Sequence, residues 1–432
     1  MTVHEVASDL NTSWTILIAF LIYFMHGGFG FLEAGMCSDK NVVDALSHNL
    51  VILAVTIAVY WLVGFGLMFG NGNAFFGLTG FAPSLLPRDV SSFHSIADEA
   101  VPLVVVFAFV TSFSDTPATL IAGAGAERIR FSAVVVLSAL ISGLIYPVIG
   151  HWVLGGGWLA NLSRPIFDTG AGMVHLAGGC CALAVALFLG PRGWRFRSDE
   201  SRHALAVSSM PMVFLGAFIL WLGFFAFNAG FAMYASRSVG LVVTNTALAG
   251  AFGTVVTLAG ITVLTGNAQL RASIVGLLTA NVAITSCSSI VAPWAAAAIG
   301  VLAGLATLAS IRLWITLKID DPTEYLTMNL TGGFLGILAV GVFADPEIFL
   351  EYSVSPLPRP GLLYGQVDQL LTQILGAVVI VAFSLGLCSV FCAALARANL
   401  LRVPPDEERS GSDVVTHGEK ASGREDEREQ EP

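Results

Sequence analysis

The chain reads Asp168-Thr-Gly-Ala-Gly-Met-Val-His-Leu-Ala-Gly-Gly179 in one apolar segment and Asp321-Pro-Thr-Glu-Tyr-Leu-Thr-Met-Asn-Leu-Thr-Gly-Gly333 in a later one. In each stretch an aspartate is followed, seven or eight positions later, by a polar residue, His175 or Asn329, and then by a pair of glycines. A second echo pairs Phe31-Leu-Glu-Ala-Gly35 with Phe227-Asn-Ala-Gly230. These echoes predict an internal duplication.

The composition predicts that this duplicated chain lies in a membrane. Of its 432 residues 55% are hydrophobic and only 12% are charged, whereas an ordinary soluble domain carries roughly 25% charged residues. The apolar residues suffice for on the order of ten helices of ~20 residues, the length that crosses a bilayer. We therefore expect an all-α, multi-pass protein of the cell (inner) membrane.

Hydropathy over a window of about 19 residues predicts eleven membrane-spanning helices, the eighth of them short. They are Trp14–Leu32, Leu50–Phe69, Val101–Ile121, Ser132–Leu154, Ala171–Phe188, Ser208–Phe231, Leu241–Leu264, Ile274–Ile284, Val291–Ile311, Tyr325–Phe343 and Leu370–Cys392.

The predicted repeats contain five helices each. The first covers about residues 14–190 and the second about 205–345, and the eleventh helix, about 370–398, packs outside them and ends the transmembrane domain (1–398). An odd number of helices per unit inverts the second copy. Inverted repeats place a transport path at their interface, near the bilayer midplane.

The distribution of Lys and Arg predicts the orientation of the bundle. With the N-terminus outside, twelve Lys and Arg residues fall on the inner side and four on the outer side, which favours N-out, C-in. Residues 399–432 then form a cytoplasmic tail, and its part from Pro404 to Pro432 carries ten acidic and four basic residues. We expect the last charged run, after about residue 422, to be disordered.

Several classes of function are disfavoured by the sequence. A basic surface for nucleic acid is absent. The six cysteines lie mainly in or beside apolar runs without a C-x-x-C motif, so neither a disulfide framework nor a metal site is predicted, and no cofactor is expected. An enzyme is not expected either, because Ser114, Asp115 and His175 have no recognised catalytic spacing.

Polar side chains inside apolar helices are costly and are therefore candidates for function. Among the eight histidines we place only His175 well inside a helix, and the repeat predicts that Asn329 faces it across the symmetry axis. Asp168 either caps the fifth helix or attracts a cation to the outer mouth, and we favour the cap. Asp115 lies midway along the third helix, where pore lining and burial against a neighbouring helix are equally compatible with it.

Two phenylalanines suggest a narrow entrance. Phe113 and Phe227, if stacked, would form a hydrophobic constriction that excludes hydrated ions and passes small neutral molecules. With 29 phenylalanines in the chain, positions in the core or against lipid remain the alternative.

The motifs of this chain resemble, in order, those of the ammonium transporter family, which includes the methylamine permeases and is related to Rhesus proteins. They are His26-Gly-Gly-Phe-Gly-Phe-Leu-Glu-Ala-Gly35, Ala126-Glu-Arg128, the stretch from Asp168 to His175, Gly223 to Gly230, Ala283-Ile-Thr285, Ala292-Pro-Trp-Ala-Ala296 and Asp320-Asp-Pro322. The tail adds Leu401-Arg-Val403, Glu408, Gly411, Asp413 and His417-Gly-Glu419. The resemblance runs from about residue 14 to 422.

The resemblance implies a homotrimer with one narrow, mainly hydrophobic pore for ammonium or ammonia in each subunit. It assigns Phe113 and Phe227 to the gate, Phe109 to an external aromatic recruitment site and His175 to the first of two pore histidines. Phe224, in the same motif as Phe227, is also a pore candidate.

For the tail, the resemblance implies a segment that packs under a neighbouring subunit and orders to about residue 422. The matching positions are Arg402, Asp413, His417 and Glu419. Expected partners are the other subunits and membrane lipid, and a cytoplasmic signalling protein of the PII type is a further candidate.

Four departures from the family pattern affect the predicted pore. Asn329 stands where the second histidine is expected, Leu154 where a tryptophan usually completes the recruitment site, and Phe231 where a small hydroxyl residue is usual. Asp168 is one residue closer to its histidine than is typical. We therefore expect weak recruitment of ammonium and altered proton coupling, because a carboxamide cannot accept a proton near neutral pH.

Three functions fit this sequence. The first is an ammonium or ammonia transporter with altered coupling. The second is an ammonium sensor or regulatory membrane protein that conducts little. The third is a channel for another small neutral solute such as carbon dioxide, for which Phe231 and Asn329 are the only hints.

Overall fold

The chain folds as a bundle of apolar helices, and the all-α prediction is confirmed. The computed structural model describes residues 3–97, 101–196, 207–231, 233–352 and 360–421. Within these residues ten helices are long and apolar enough to cross a membrane, and one further apolar helix is shorter. In chain order we call them spans 1 to 11: Glu5–Met36, Asp39–Phe69, Leu103–Gly125, Phe131–Val153, Ala171–Leu189, Met210–Gly230, Ser238–Thr265, Leu270–Ile284, Pro293–Thr316, Leu326–Phe343 and Asp368–Arg397.

The short helix is span 8, as predicted, but several spans begin earlier or end later than hydropathy indicated. Span 1 starts at Glu5 and span 2 at Asp39, whereas the predicted starts were Trp14 and Leu50. Hydropathy reports only the apolar part of a helix, and backbone hydrogen bonds continue the helix into polar sequence at its ends.

Large apolar side chains cover the outside of the bundle. Phe20, Val263 and Val390 expose 65%, 86% and 63% of their surface. Such a surface is unfavourable in water and is the surface that a lipid environment or another apolar protein face accommodates. The chain is a membrane protein with many apolar helices.

Span 1 packs most extensively against span 6, one from each predicted repeat. A Cβ atom added at Gly216 would lie 2.4 Å from the backbone nitrogen of Leu32. Only a glycine at this position lets the two helices approach so closely, and small residues serve the same purpose between helices in membranes generally.

The third span is broken, which the sequence did not predict. One helix, Leu103–Thr111, ends and a second, Thr116–Gly125, begins after a short turn. The hydroxyl groups of Ser112 and Ser114 donate to the carbonyl oxygens of Phe109 and Thr111 at 2.6 and 2.8 Å. The same carbonyl oxygens also accept from the backbone nitrogens of Ser112 and Ser114 at 3.2 and 3.0 Å, so the turn satisfies both the backbone and the two hydroxyl groups in an apolar environment.

The tail docks on the rest of its own chain from Leu401 onward. Arg402 forms an antiparallel bridge with Ile129, and two short helices follow, Pro405–Ser410 and Ser412–His417. The Arg402 guanidinium lies 2.8 Å from the Glu408 carboxylate and also donates to the carbonyl oxygen of Leu189, the last residue of span 5.

The second short helix contacts the beginning of span 2. The Asp413 carboxylate accepts from the backbone nitrogen of Asp44 at 2.9 Å, and His417 Nε2 lies 2.9 Å from the Asp44 carboxylate. The backbone nitrogen of Glu419 donates to the Asp413 carbonyl oxygen at 3.1 Å. Packing of the tail under a neighbouring subunit stays a prediction, and the predicted disordered run, 422–432, lies outside the described residues.

Candidate functional site

The first polar group of the site is the aspartate before span 5. Asp168 is buried and accepts from the backbone nitrogens of Gly172 and Met173 at 2.9 and 2.6 Å. It also accepts from Gly170 and, at 2.5 Å, from the hydroxyl group of Ser286. The carboxylate therefore caps the first turn of span 5, the role that we favoured for it.

Asp321 makes the corresponding contacts at the beginning of span 10. Its carboxylate accepts from the backbone nitrogens of Tyr325 and Leu326 at 3.2 and 2.7 Å. These donors are four and five positions later, the same offsets as for Asp168. Burial raises the pKa of Asp321 to about 7, although its hydrogen bond from Leu326 opposes the shift.

The glycine pairs of the two repeats also correspond in space. A Cβ atom on Gly179 would lie 2.6 Å from the backbone nitrogen of Leu330, and one on Gly333 would lie 2.6 Å from that of Leu176. Each glycine of one repeat thus contacts the residue after the central polar residue of the other. This reciprocal packing agrees with the predicted two-fold relation and brings the two helices close together.

His175 and Asn329 meet where these helices approach. His175 Nδ1 lies 2.8 Å from Asn329 Oδ1, and the two residues expose 0% and 3% of their surface. The amide nitrogen of Asn329 donates to the Tyr325 carbonyl oxygen at 3.3 Å, which directs Oδ1 toward the imidazole. Since Oδ1 can only accept, Nδ1 carries the hydrogen.

The other ring nitrogen of His175, Nε2, is the chemically free group of the pair. It is buried and has no hydrogen-bond partner among the described residues. In this tautomer Nε2 is an acceptor with a free lone pair. It can accept an N–H bond of a small substrate, or its proton.

Aromatic rings surround this imidazole. Phe224 is stacked with it at a centroid distance of 5.5 Å, and Phe227 lies at 5.3 Å with a tilted ring. Phe224 and Phe227 are buried, so the free lone pair of His175 is in a strongly apolar environment.

Phe227 and three further rings, those of Phe113, Phe109 and Phe231, form a group that we call the phenylalanine cluster. Phe113 is edge-on to Phe227 at 4.5 Å and to Phe109 at 4.8 Å. Phe231 joins them at 5.0 Å from Phe113 and 6.0 Å from Phe109. Leu154, at the end of span 4, is half-buried and supplies no ring.

A glycine lets the phenylalanine cluster approach span 5. Gly170 adopts a φ of +125°, and a Cβ atom there would lie 2.6 Å from the ring of Phe227. Any other residue would be strained at this φ and would also push the ring away. The ring of Phe227 is thus held next to His175, and the ring of Phe113 packs on the ring of Phe227.

Asp115 lies in the break of span 3 and contacts a neighbouring helix, so the second of the two alternatives for it is the one observed. Its Oδ2 lies 2.8 Å from Nδ1 of His26 in span 1, and His26 Nε2 lies 2.7 Å from the Asn49 carbonyl oxygen. The Asn49 amide in turn donates to Glu33 at 2.6 Å. This chain of polar groups connects spans 1, 2 and 3.

The statement that only His175 lies well inside a helix was wrong. His26 is 5% exposed in the middle of span 1, and the motif that begins with it was a usable signal. His48 and His151 are also buried within spans 2 and 4. His48 was missed because hydropathy placed the start of span 2 after it.

At the end of the bundle that carries the tail, buried arginines and carboxylates form a second polar cluster. Arg192 lies 3.2 Å from Glu127 and 2.8 Å from Asp320, and Arg195 lies 3.5 Å from Asp320. Burial would raise the pKa of Asp320, but Arg192 and Arg128 lower it to about 2. This cluster joins the loops after spans 3, 5 and 9.

Comparison with known proteins agrees with the geometry. The model of the Ammonium Transporter Family matches residues 13–422. Ammonium transporter Amt2 of Archaeoglobus fulgidus is 34% identical over 417 residues, covering 94% of this chain and 86% of that protein. A putative ammonium transporter of Synechocystis is 32% identical over 432 residues, covering 98% and 91%.

A solved structure has the same fold. It is named "Sensor Amt Protein", is 32% identical, and superposes with a TM-score of 0.86 over 95% of this chain and 99% of that one. With the family model matching nearly the whole length, the expectation that the protein is not an enzyme also holds. The chain belongs to the ammonium transporter family.

Proposed function

We propose that each subunit transports ammonia, derived from ammonium, along a path that passes the phenylalanine cluster and then the His175–Asn329 pair. Ammonium is recruited weakly at the entrance, and the coupling of transport to proton movement is altered. The observation that carries this proposal is the single hydrogen bond from His175 Nδ1 to Asn329 Oδ1. It commits one ring nitrogen and leaves the other free in an apolar environment.

The chemistry of ammonium explains why the second position matters. Ammonium has only N–H donors, and a charged ion is very unfavourable in a dry apolar passage. It can donate a proton to His175 Nε2 and continue as neutral ammonia, and for uptake without net current that proton leaves Nε2 again toward the outer mouth. In a pair of imidazoles that proton can move to the second ring, whereas the carboxamide of Asn329 has no proton-accepting state near neutral pH.

The rings of the phenylalanine cluster support the part of the proposal that concerns weak recruitment of ammonium at the outer mouth. Cation–π attraction amounts to ~0.5–2 kcal/mol and is strongest over indole rings. Here the cluster consists of phenyl rings, with Phe231 at 5.0 Å from Phe113 and no hydroxyl acceptor at that position. We expect ammonium to bind there only weakly.

Currents and uptake in proteoliposomes test the proposal. On ammonium pulses, the native protein should raise the internal pH by admitting ammonia while carrying little current, and Asn329→His should increase the current. His175→Ala should lose specific uptake, and Asn399→His, at an exposed position after span 11, should behave like the native protein. A robust native current that Asn329→His leaves unchanged would overturn the coupling proposal.

A sensor with little transport is the second candidate, since one similar solved structure carries the name "Sensor Amt Protein". We favour transport, because the relatives named above are called transporters. The uptake measurement separates the two: a pure sensor would give the same internal pH change as empty vesicles.

Membership of the family supports a proposal for the assembly. We propose a homotrimer in the cell (inner) membrane, with the N-terminus outside and the tail in the cytoplasm. Light scattering of the purified protein tests the trimer, and accessibility of single cysteines in the tail tests the orientation. A PII-type regulator should be retained by the full chain and lost from a chain cut after Arg402; equal retention would contradict a role of the tail.

A further inference from the structure

A cavity of about 330 Å³ opens at the end of the bundle that carries the tail. It lies where span 4 begins, where spans 5 and 11 end, and beside the first residues of the tail. Its wall includes the basic residues Arg130 and Arg402 and the apolar residues Phe188, Ala396 and Leu401. Its volume is in the range of small-molecule binding sites.

The charges of this cavity are unbalanced. Arg130 donates through Nε to the Arg402 carbonyl oxygen at 2.9 Å, and within the described ranges it has no carboxylate within 4.0 Å. Arg402 is paired with Glu408, yet 34% of its side chain remains accessible. Among the described residues the wall contains no acidic side chain, and Glu408 offsets only Arg402, so Arg130 leaves the cavity with a net positive charge.

The position of the cavity indicates what kind of anion it takes. Phe188 is 42% exposed one residue before the end of span 5, and span 11 ends at Arg397. The cavity thus has arginines at the level where the membrane helices end, beside the exposed apolar side chain of Phe188. A phosphate group attached to acyl chains matches both features, and arginine forks bind phosphate oxygens in pairs.

We propose that this cavity is a binding site for the headgroup of an anionic phospholipid, with its phosphate between Arg130 and Arg402 and its chains against Phe188. The same Arg402 binds Glu408 and the carbonyl oxygens of Leu189 and Pro191. An occupied cavity therefore stabilises the docked tail. The proposal does not depend on what the pore conducts.

Lipid binding to the purified full chain tests the site. Native mass spectrometry should show tighter binding of phosphatidylglycerol than of phosphatidylcholine. Arg130→Gln should weaken the phosphatidylglycerol binding about fivefold, the effect of one interfacial arginine. Arg130→Lys should have a smaller effect, and Arg397→Gln, which removes an exposed arginine outside the cavity wall, should change binding less than twofold.

Three results would overturn the proposal. The first is equal binding of both lipids, and the second is a loss of phosphatidylglycerol binding in Arg397→Gln as large as that in Arg130→Gln. The third is complete competition by inorganic phosphate at millimolar concentration, since this would indicate a site for free anions. A photoreactive phosphatidylglycerol analogue gives a readout on the native protein without any variant. It should label residues 183–190 or 396–405, and labelling confined to other segments would contradict the site.

Discussion

His175 Nδ1 and Asn329 Oδ1 are 2.8 Å apart at the point where spans 5 and 10 approach each other. This contact joins the two repeats through side chains of different chemistry. One partner can accept a proton on its free nitrogen and the other cannot, so the two halves of the site are equivalent in position but not in function.

Removing the carboxamide should destabilise the protein. In Asn329→Leu the buried Nδ1–H of His175 loses its acceptor, which costs about 1–3 kcal/mol when a buried donor is left unpaired. Thermal unfolding in detergent, monitored by tryptophan fluorescence, measures the change. Thr416→Val, at an exposed position of the tail, is the control, and an unchanged unfolding temperature in Asn329→Leu would mean that the hydrogen bond does not form.

Replacing one ring of the phenylalanine cluster should strengthen recruitment. Phe231→Ser places a hydroxyl acceptor beside Phe113 and Phe109, and one additional contact of about 1 kcal/mol lowers the apparent KM for ammonium roughly fivefold. Phe231→Leu removes the ring without adding an acceptor and should not lower KM. Uptake against ammonium concentration distinguishes them, and equal effects of Ser and Leu would assign the change to ring size.

The contributions of His26 and Asp115 to the stability of the protein should be coupled. His26→Leu and Asp115→Leu should each destabilise the protein by about 3–5 kcal/mol, because each leaves its partner buried and unpaired. The double variant should lose clearly less than the sum. The unfolding temperatures of the native protein, the two single variants and the double variant measure this coupling. Additive losses of stability would show that the two side chains do not interact.

Low pH should weaken the polar cluster around Arg192, because the Asp320 carboxylate then becomes protonated. The pKa of Asp320 is lowered to about 2 from an ordinary 3.8. Its stabilisation is therefore fully present above about pH 4 and is lost as the pH falls toward 2. Unfolding temperatures between pH 2 and 5 should depend less on pH in Asp320→Asn than in the native protein. Asp406→Asn, whose side chain is 92% exposed, should keep the native dependence.

Asp321 should make the stability of the fold depend on pH in the opposite direction, so that a rise in pH lowers it. Burial raises its pKa to about 7, so this group stabilises the fold fully below about pH 4 and loses that contribution as the pH rises through 7. Between pH 5 and 8 the native protein should lose more stability than Asp321→Asn, which keeps the shape of the cap without its charge. Parallel curves would show that Asp321 does not titrate in this range.

The sequence predicted the repeat and its central pair because the spacing of Asp, a polar residue and Gly-Gly is local. The break in span 3 was not predictable from hydropathy, since Ser112 and Ser114 bond back to the preceding turn with short side chains that barely alter the apolar average. His26 was overlooked for another reason. Its partner, Asp115, is 89 positions away in the sequence, and only the packing of spans 1 and 3 brings the two together.

Span 5 has His175 near its beginning and, as its last residue, Leu189, whose carbonyl oxygen binds the arginine of the tail. Fourteen residues of helix are about 21 Å long. One helical segment therefore connects the buried imidazole with the docked tail, so the contact of Arg402 holds the far end of the helix that positions His175.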